Sequence, residues 1–458
     1  MSAKIIILDG LGSAYLEGTK AAVTISDSKE IFNAPDTIPT AVNYKGKEYR
    51  GVVPWGLNNN FPAELTERMY KNPVMSSGLK FNIDIAYGEG ITAGRYEMEG
   101  KKRVFVPEYN NTDVNKFFEE NDINGYLLEQ LTDLSIFYNI FPEIILNREK
   151  EPKIVSLSSK EATFSRWESM NPETGEIEHH FYSAYWGRSS NPSDSQIDIT
   201  PVLRRRNTLR DLRIRMGLEK DNSGNLKQPT DYRFIIPVSF PTPGRPYYQK
   251  PYYISIIESG WYDLACSIPA FKNAILKNQM AIKYHVELAD DYFSKIFEVE
   301  GITDDAKKKA RIKKEYDDLN SYLAGQENAG KAVISFVKYS PDGKEMRRMK
   351  ITVIDNKNAG GEYLEDSEEA SNVMSFGMGV HPSLIGSAPG KNSTISGTEA
   401  RELFIIKQAL MRPIRDRLLR PIYIIKNFNN WDPTLSFEIP NITLTTLDAN
   451  TGSTKVIG

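Results

Sequence analysis

The stretch 372–404, NVMSFGMGVHPSLIGSAPGKNSTISGTEARELF, constrains the fold more than any other part of the chain. Gly377 and Gly379 can take the positive φ that ends a helix, and two prolines further along prevent an early return to helix. We therefore expect a helix to end near Phe376. The segment from Ser396 to Glu399 has the S-x-x-E pattern of a capping box, which predicts that a second helix starts there.

Three short motifs follow one another in this stretch: Gly379-Val-His-Pro382, Leu384-Ile-Gly386 and Ser396-Gly-Thr-Glu399. Their order resembles the "G-V-x-P, L-x-G, S, E" passage found late in tailed-bacteriophage portal proteins. Asn72-Pro73-Val74 is similar to the "N-P-V" that precedes an early helix in that family. The resemblance implies a ring, usually twelvefold, at one capsid vertex, through which double-stranded DNA is packaged and ejected.

The composition is typical of an ordered globular chain, since 40% of the residues are hydrophobic and 26% are charged. A net charge of −3 argues against a protein that coats nucleic acid along its whole surface. The single cysteine, Cys266, cannot form an internal disulfide, and its apolar surroundings predict a buried thiol. The chain has neither an apolar run long enough to span a membrane nor a signal-peptide core. These features predict a soluble protein made in a reducing cytoplasm.

Helical and strand patterns alternate in the first third of the chain and predict an α+β domain. Helices are expected at 63–70, 73–87 and 113–120, with a strand at 103–106. Asp122 is then expected to cap a helix through Asn139, with an apolar stripe that needs a packing partner. Pro142 is expected to break this helix.

The middle third is predicted to be rich in β-strands, with turns at Pro172-Glu-Thr-Gly175 and Asn222-Ser-Gly224. Helical pattern returns from Tyr253 to about Val286, where Pro269 either kinks the helix or begins a second one. A helix, a β-rich excursion and a returning helix form two packed helices that carry a small β-domain at their tip.

The last third is predicted to begin with a charged surface helix at 304–323. A hairpin of strands 331–339 and 348–354, a polar loop at 355–361 and a helix at 362–376 follow. A long helix at 399–428, bent or divided by its two prolines, precedes a short strand at 435–439.

This order also resembles that of portal proteins, and the fold implied is an elongated α+β subunit with a wing, two stem helices, a β-rich clip and a C-terminal helical crown. The implied boundaries are 1–121 for the first part of the wing, 122–141 for the first stem helix, 142–251 for the clip, 252–286 for the second stem helix, 287–395 for the return part of the wing with a tunnel loop at about 355–361, and 396–458 for the crown and tail.

Sequence signals for catalysis are weak. Gly10-Leu-Gly12 lacks the third glycine of a dinucleotide-binding loop, and Gly325 to Ala332 lacks the Ser or Thr of a phosphate-binding loop and has the reverse order of helix and strand. The four histidines show no zinc-ligand spacing, and His381 is expected to have a structural hydrogen bond. Carboxylate pairs typical of a metal nuclease are also not distinguishable from surface charge. We therefore expect neither an enzyme nor a metal or other cofactor.

The first candidate site is the arginine-rich segment LRRRNTLRDLRIR at 203–215. Six guanidinium groups in thirteen residues indicate a docking surface for an acidic partner or for DNA phosphates, with a solvated surface as the alternative. In the portal resemblance the segment belongs to the clip and binds the packaging motor and the neck proteins. The residues assigned to docking are Arg204, Arg205, Arg206, Arg210 and Arg213.

The second candidate site is the polar loop at 355–361, which lies where portal proteins have their tunnel loop. Small and amide side chains with one lysine suit weak contact with sliding DNA, although an ordinary connection would have the same composition. The residues assigned to it are Asn356, Lys357, Asn358, Gly360 and Gly361.

The resemblance implies the partners and the location. They are further copies of the chain, DNA, terminase, adaptor or neck proteins, and capsid and scaffold proteins, with assembly in the cytoplasm of a host bacterium and a final place in the virion. Two alternatives stay open: another ring-forming head-tail adaptor or baseplate protein, and a nucleotide-processing enzyme with a degenerate site.

Overall fold

The computed structural model describes residues 5–8, 13–16, 21–24, 41–186, 192–279, 284–289, 291–324, 338–339, 345–346, 349–353, 364–385 and 397–443. The chain forms two compact units. The first combines Met1–Cys266 with Asp366–Gly458, and the second is Ser267–Glu365. Mixed helices and small antiparallel sheets confirm the predicted α+β class.

Twelve helices lie in the described residues. They are α1 (Phe61–Lys71), α2 (Pro73–Tyr87), α3 (Thr112–Glu120), α4 (Ile123–Phe137), α5 (Thr208–Arg215), α6 (Ser255–Glu258), α7 (Trp261–Gln279), α8 (Tyr292–Glu300), α9 (Asp305–Ala324), α10 (Leu364–Gly377), α11 (Gly397–Leu410) and α12 (Arg412–Phe428). The chain leaves the first unit within α7 and returns to it within α10.

Antiparallel sheets make up the strand structure of the first unit. The strands are β1 (Ile5–Leu8), β2 (Ser13–Leu16), β3 (Ala21–Thr24), β4 (Val42–Tyr44), β5 (Lys47–Tyr49), β6 (Thr92–Glu99), β7 (Lys102–Pro107), β8 (Asn139–Leu146), β9 (Ile154–Lys160), β10 (Ser165–Trp167), β11 (His179–Tyr182), β12 (Asp198–Pro201), β13 (Arg233–Ile235), β14 (Val238–Ser239) and, after the second unit, β19 (Ser436–Glu438). Strand β8 pairs with β9, β13 and β14, β11 lies between β10 and β12, and β6 lies between β7 and β19.

The early helices start where short polar side chains bind the first free backbone N–H groups. Asn72 accepts hydrogen bonds from the amides of Val74 and Met75, at 3.0 and 3.1 Å. Asn111 accepts one from the amide of Val114, and Asp122 one from the amide of Gly125. Each cap satisfies a donor that has no partner within the helix. The predicted helices of this region are confirmed within a few residues.

Helix α4 ends earlier than predicted, and Pro142 does not end it. Tyr138 takes a left-handed conformation, with φ of 57°, and donates its amide to the carbonyl of Leu134. Pro142 lies inside β8, between the residues that pair with β13 and those that pair with β14. A proline has no N–H to donate, so this gap between two ladders accommodates it.

One large hydrophobic core joins segments that are far apart in the sequence. It contains Leu127 and Leu131 of α4, Ile144 of β8, Leu212 of α5 and Ile422 of α12. The apolar stripe predicted for α4 has therefore found its partners in the neighbouring β8 and in the C-terminal helix. Burial of such side chains stabilises the unit by about 1.5–3 kcal/mol each relative to exposure.

Two long helices predicted in the second half are divided in the structure. The segment expected to be helical from Tyr253 to Val286 comprises α6, α7 and the start of a strand. Helix α7 continues through Pro269, so no second helix begins there. The helix expected at 399–428 is two helices that meet at Met411, because Pro413 occupies the first turn of α12, where its missing N–H costs nothing.

The second unit contains α8, α9 and the strands β15 (Tyr284–Leu288), β16 (Lys338–Tyr339), β17 (Glu345–Met346) and β18 (Met349–Val353). The predicted charged helix is confirmed as α9. The predicted pairing of strands 331–339 and 348–354 was wrong: β16 pairs with β17, and β18, the strand expected at 348–354, pairs with β15. The helix predicted to continue through residues 284–286 was therefore wrong at that end, because these residues belong to β15 and pair with β18.

The stretch 372–404 is described on both sides of its polar loop. Helix α10 ends at Gly377, close to the predicted position, and Gly379 has the positive φ, of 65°. Gly377 has an ordinary φ and is small for another reason: a Cβ there would lie 2.5 Å from the Ile256 side chain. Helix α11 starts at Gly397, and Ser396 of the predicted capping box lies outside the described residues.

Candidate partner-docking surface

The arginine-rich segment follows β12 as a turn that leads into α5. Val202 and Leu203 are buried and donate their amides to the carbonyls of Glu178 and Ile235, which fixes the start of the turn. Asn207 has a φ of 56°, and the Thr208 hydroxyl donates to the carbonyl of Arg204 at 2.8 Å. These bonds hold the three consecutive arginines on an exposed turn.

Five of the six arginines form a hydrogen bond or an ion pair with a described residue, Arg205 with a hydroxyl and the other four as follows. Arg204 and Arg215 flank the buried carboxylate of Asp211, at 3.8 and 3.1 Å. Arg210 pairs with Glu219 at 2.8 Å, and Arg213 donates to the carbonyl of Asn427 at 3.1 Å. These guanidinium groups already have partners within the same chain, which supports the solvated-surface alternative for this part of the segment.

Arg205 and Arg206 differ from Arg204, Arg210 and Arg215 because neither has a carboxylate partner in the described part of the chain, a lack that they share with Arg213. Arg205 donates to the hydroxyl of Ser239, and its pKa is lowered by burial and further by the positive charge of Arg417. Arg206 forms neither a hydrogen bond nor an ion pair with any described residue. The predicted docking residues therefore fall into two groups.

Helix α12 adds two arginines that the sequence interpretation missed. Arg420 donates to the carbonyls of Arg205 and Pro237, at 2.6 and 3.2 Å, and to the hydroxyl of Thr208 at 2.9 Å. Burial lowers its pKa, and the charges of Arg417 and Arg205 lower it further. Arg417 makes no hydrogen bond or ion pair with a described residue. We call Arg205, Arg206, Arg417 and Arg420 the arginine cluster.

A cavity of about 310 Å³ opens beside the cluster, within the first unit. Its polar lining includes Arg205, Arg206, Ser239 and Tyr247, and its single lining carboxylate is Glu176. Trp167, Met170, Ile177 and Val202 line it with apolar surface. The volume is at the small end of the range for ligand sites, about 300–1,000 Å³, and the mixed lining is typical of them.

A wider cavity of about 780 Å³ lies on the other side of the same turn. Arg204, Arg210 and Arg215 line it together with Asp211 and Asp221. Charged side chains of both signs line it, Arg206 among them, and Arg204 and Arg215 pair with Asp211, so the cavity has no clear preference for an anion or a cation.

The second candidate site lies outside the described residues. Asn356, Lys357, Asn358, Gly360 and Gly361 fall between β18 and α10, both of which are described. The flanking strand and helix agree with the predicted ones. The glycine-rich segment 325–332 also lies outside the described residues.

The structure brings together one group of possible metal ligands that the sequence interpretation did not find. Ligand atoms of Glu168, Glu178 and His179 lie within 4.8 Å of one another. Arg50 already occupies the position of a cation there, with its guanidinium 3.1 Å from Glu168 and 2.9 Å from Glu178. Although burial opposes it, hydrogen bonds from Asn171 and Arg50 lower the pKa of Glu178. The group is therefore a satisfied ion-pair network.

Two further expectations concern single residues. The Nδ1 atom of His381 accepts the amide of Ser383 at 3.4 Å, in agreement with a structural role. Cys266 is only partly buried and accepts a weak hydrogen bond from Asn72, so the expected full burial of its thiol was wrong. None of the helices in the described ranges combines the length and the hydropathy that a membrane crossing requires.

Comparisons with known proteins identify the fold. No family model matches the sequence, and no curated protein matches it. Among solved structures, a chain in the virion of a native gene transfer agent particle is similar at a TM-score of 0.51 and 11% identity. The match covers 82% of this chain and 83% of that chain. A chain in the neck of an empty gene transfer agent particle, computed with C6 symmetry, is similar at 0.50 and 11% identity, covering 82% and 84%. The chain thus shares the fold of these two gene transfer agent chains, in agreement with its resemblance to portal proteins.

Proposed function

We propose that the chain is a portal-type subunit. Twelve or so copies form a ring at one capsid vertex, where the ring is the channel for packaging and ejection of double-stranded DNA and the docking site for terminase and for neck or tail proteins. The role is structural, and any ATP hydrolysis belongs to a separate motor. The protein assembles in a bacterial host and stays in the virion.

The observation that carries this proposal is the extent of the shared fold. It covers more than four fifths of this chain and of each similar chain, so it extends well beyond a single small domain. The similar chains belong to a virion and to a particle neck. A likeness limited to one common domain would not support a role in such an assembly.

Exposed apolar side chains on α11 support self-assembly. Ile405, Ile406 and Leu410 are 49%, 58% and 63% exposed, and Phe376 at the end of α10 is 85% exposed. Neighbouring apolar side chains on one exposed helix are typical of a surface that another protein covers. In a ring, repeated heterologous contacts would cover such a face on every subunit.

The division into wing, stem, clip and crown is part of the proposal, and the cores of the first unit favour changes to it. Residues of 142–251 share a core with α2, α4 and α12, and α6 shares a second core with α1. These contacts favour assigning 142–266 and 412–443 to the wing. The second unit, Ser267–Glu365, is then the better candidate for stem and clip.

Mass measurement of the purified full-length protein, followed by end-on electron-microscope images, tests the ring. We expect particles of about twelve times the 51.9 kDa chain mass and a central channel wide enough for a DNA duplex. A monomer at all concentrations, also in the presence of scaffold and capsid proteins, would contradict the proposal. A ring whose channel is too narrow for a duplex favours an adaptor, and DNA-dependent ATP hydrolysis by the pure chain favours an enzyme.

The proposed tunnel loop has its own test. Replacing residues 356–361 by a shorter linker should leave ring mass unchanged and impair DNA packaging or retention, because this loop would contact DNA and not the neighbouring subunit. Lys357→Gln is the milder variant, since it removes only one possible phosphate contact. Normal packaging by the shortened loop would remove the role assigned to it.

A further inference from the structure

The arginine cluster carries more positive charge than its surroundings neutralise. Arg205, Arg206 and Arg417 have no ion-pair partner in the described part of the chain, and Arg420 binds only carbonyl and hydroxyl oxygens. Arg205 and Arg420 have lowered pKa values because of burial and then because of neighbouring arginines. Holding like charges together costs free energy, and an anion bound between them would recover it.

Hydrogen-bond donors dominate the polar lining of the 310 Å³ cavity next to the cluster. Arg205 uses a bond to Ser239, which leaves further N–H groups, and Arg206 uses none. The hydroxyls of Ser239 and Tyr247 accept hydrogen bonds, from Arg205 and from the amide of Met170, and donate none to a described residue. Only Glu176 contributes a carboxylate. A ligand that supplies acceptors, and above all a negatively charged one, complements this lining.

Apart from Asn139, the remaining wall of the cavity is apolar, which suits a polypeptide ligand better than duplex DNA. Trp167 is almost fully buried, and Met170, Ile177 and Val202 extend the apolar surface. A flexible polypeptide can place a carboxylate and an apolar side chain into a concave site of this size. The phosphates of a duplex lie on a wide, regular surface and are bound by exposed, spread-out basic groups.

We propose that this cavity binds an Asp or Glu side chain, next to an apolar side chain, in a segment of a partner protein. Arg205 and Arg206 bind the carboxylate, Ser239 and Tyr247 donate further hydrogen bonds, and Trp167 packs against the apolar neighbour. Arg417 and Arg420 raise the local positive potential. This inference rests on the docking of partner proteins proposed above for the ring. It assigns such docking to the arginine cluster, in the part of the chain assigned to the wing, and specifies that the ligand is an acidic peptide and not DNA.

Selection from a library of random displayed peptides on the immobilised full-length protein tests the proposal. We expect enrichment of peptides with an acidic residue beside an apolar one. The enrichment should disappear with Arg206→Gln, which removes a side chain that makes no hydrogen bond in the described structure, and with Arg205→Gln. Arg210→Gln is the matched control in the same segment, because Arg210 pairs with Glu219 and does not line the cavity. The control should retain the enrichment.

Binding of the most enriched peptide is then measured by fluorescence anisotropy. We expect its affinity to fall about tenfold or more when its acidic residue becomes the amide or when Arg206 becomes Gln, and a short DNA duplex should not displace it. Absence of acidic enrichment, equal enrichment on the Arg206→Gln protein, or displacement by the duplex would each overturn the inference. Ring mass is measured on the same preparations. Rings that select no acidic peptides overturn this inference alone, whereas a monomer that selects them overturns the ring.

Discussion

Replacing Arg420 and Arg417 separately by methionine distinguishes the two roles that arginines have in the cluster. Both changes remove one positive charge from α12. Arg420→Met also removes three hydrogen bonds, to the carbonyls of Arg205 and Pro237 and to the hydroxyl of Thr208. Arg417→Met removes no hydrogen bond to a described residue.

The structure gives the expected size and direction of each effect. A hydrogen bond from a charged donor contributes about 1.5–3 kcal/mol net, and the partly exposed position of Arg420 favours the lower end. Relief of repulsion with each neighbouring arginine is worth about 1 kcal/mol or less at such a surface. The hydrogen bonds therefore dominate at Arg420, and we expect a loss of about 2–4 kcal/mol in the free energy of unfolding. At Arg417 only the repulsion with Arg205 and Arg420 is lost, so stability should be unchanged or higher by up to about 2 kcal/mol.

Urea unfolding followed by tryptophan fluorescence measures both changes, at one protein concentration because assembly also stabilises. Hydrogen exchange adds a local measurement: the amides of residues 203–209 should exchange faster in Arg420→Met and not in Arg417→Met. Equal shifts of the two unfolding midpoints, or unchanged exchange in Arg420→Met, would refute the view that Arg420 holds the arginine turn in place.

Three further predictions follow from single residues. Burial raises the pKa of Asp133 to about 8. The folded protein therefore keeps a proton that the unfolded chain releases near pH 4. The stability that this group contributes is lost as the pH rises from about 4 to about 8. In urea unfolding, the free energy of unfolding of Asp133→Asn should rise relative to that of the wild type by about 1.4 kcal/mol per pH unit between pH 5 and 8. A difference between the two proteins that does not change with pH would contradict this prediction. Gly379→Ala should lower the free energy of unfolding by about 1–2 kcal/mol because Gly379 has a positive φ. Gly397→Ala should leave it unchanged because no described atom lies near the added Cβ. Equal shifts of the two thermal unfolding midpoints would contradict this prediction. Glu176→Gln should strengthen binding of the selected acidic peptide about two- to fivefold, as measured by anisotropy, and weaker binding would exclude the proposed orientation.

Sequence reasoning located most helices because their starts depend on nearby residues. Asn72, Asn111 and Asp122 each cap amides within three positions along the chain, so the signal is contained in a few letters. The same local reasoning failed at Pro142. A proline breaks a helix or strand only where a hydrogen bond from its backbone N–H would be needed. At Pro142 no such bond is needed, because the residue faces the gap between β13 and β14. These two strands lie about a hundred positions away in the sequence.

The candidate site was predictable in part. The run at 203–215 indicated a concentration of positive charge, and its role in docking stays a prediction. The sequence did not distinguish Arg206 from Arg210. That distinction depends on which arginines meet Asp211, Glu219 or a distant carbonyl in the folded chain. Arg420 lies 215 positions beyond Arg205 and could not be assigned to the site from sequence spacing.

Helix α12 connects the stability of the first unit with the charge of the proposed docking surface. Ile422 packs in the main core, and Arg415 donates to the carbonyls of Ile85 and Ala86 at the end of α2. Arg420 binds the carbonyl of Arg205 in the same manner, so one rigid helix holds both a helix end and the arginine turn. Arg415 and Arg420 therefore stabilise the backbone through hydrogen bonds. Arg206 and Arg417 add positive charge without bonding to a described residue. Because these two pairs of arginines are distinct, Arg206 and Arg417 can be replaced without altering the backbone of the arginine turn. The proposed recognition of an acidic segment can therefore be tested separately from folding.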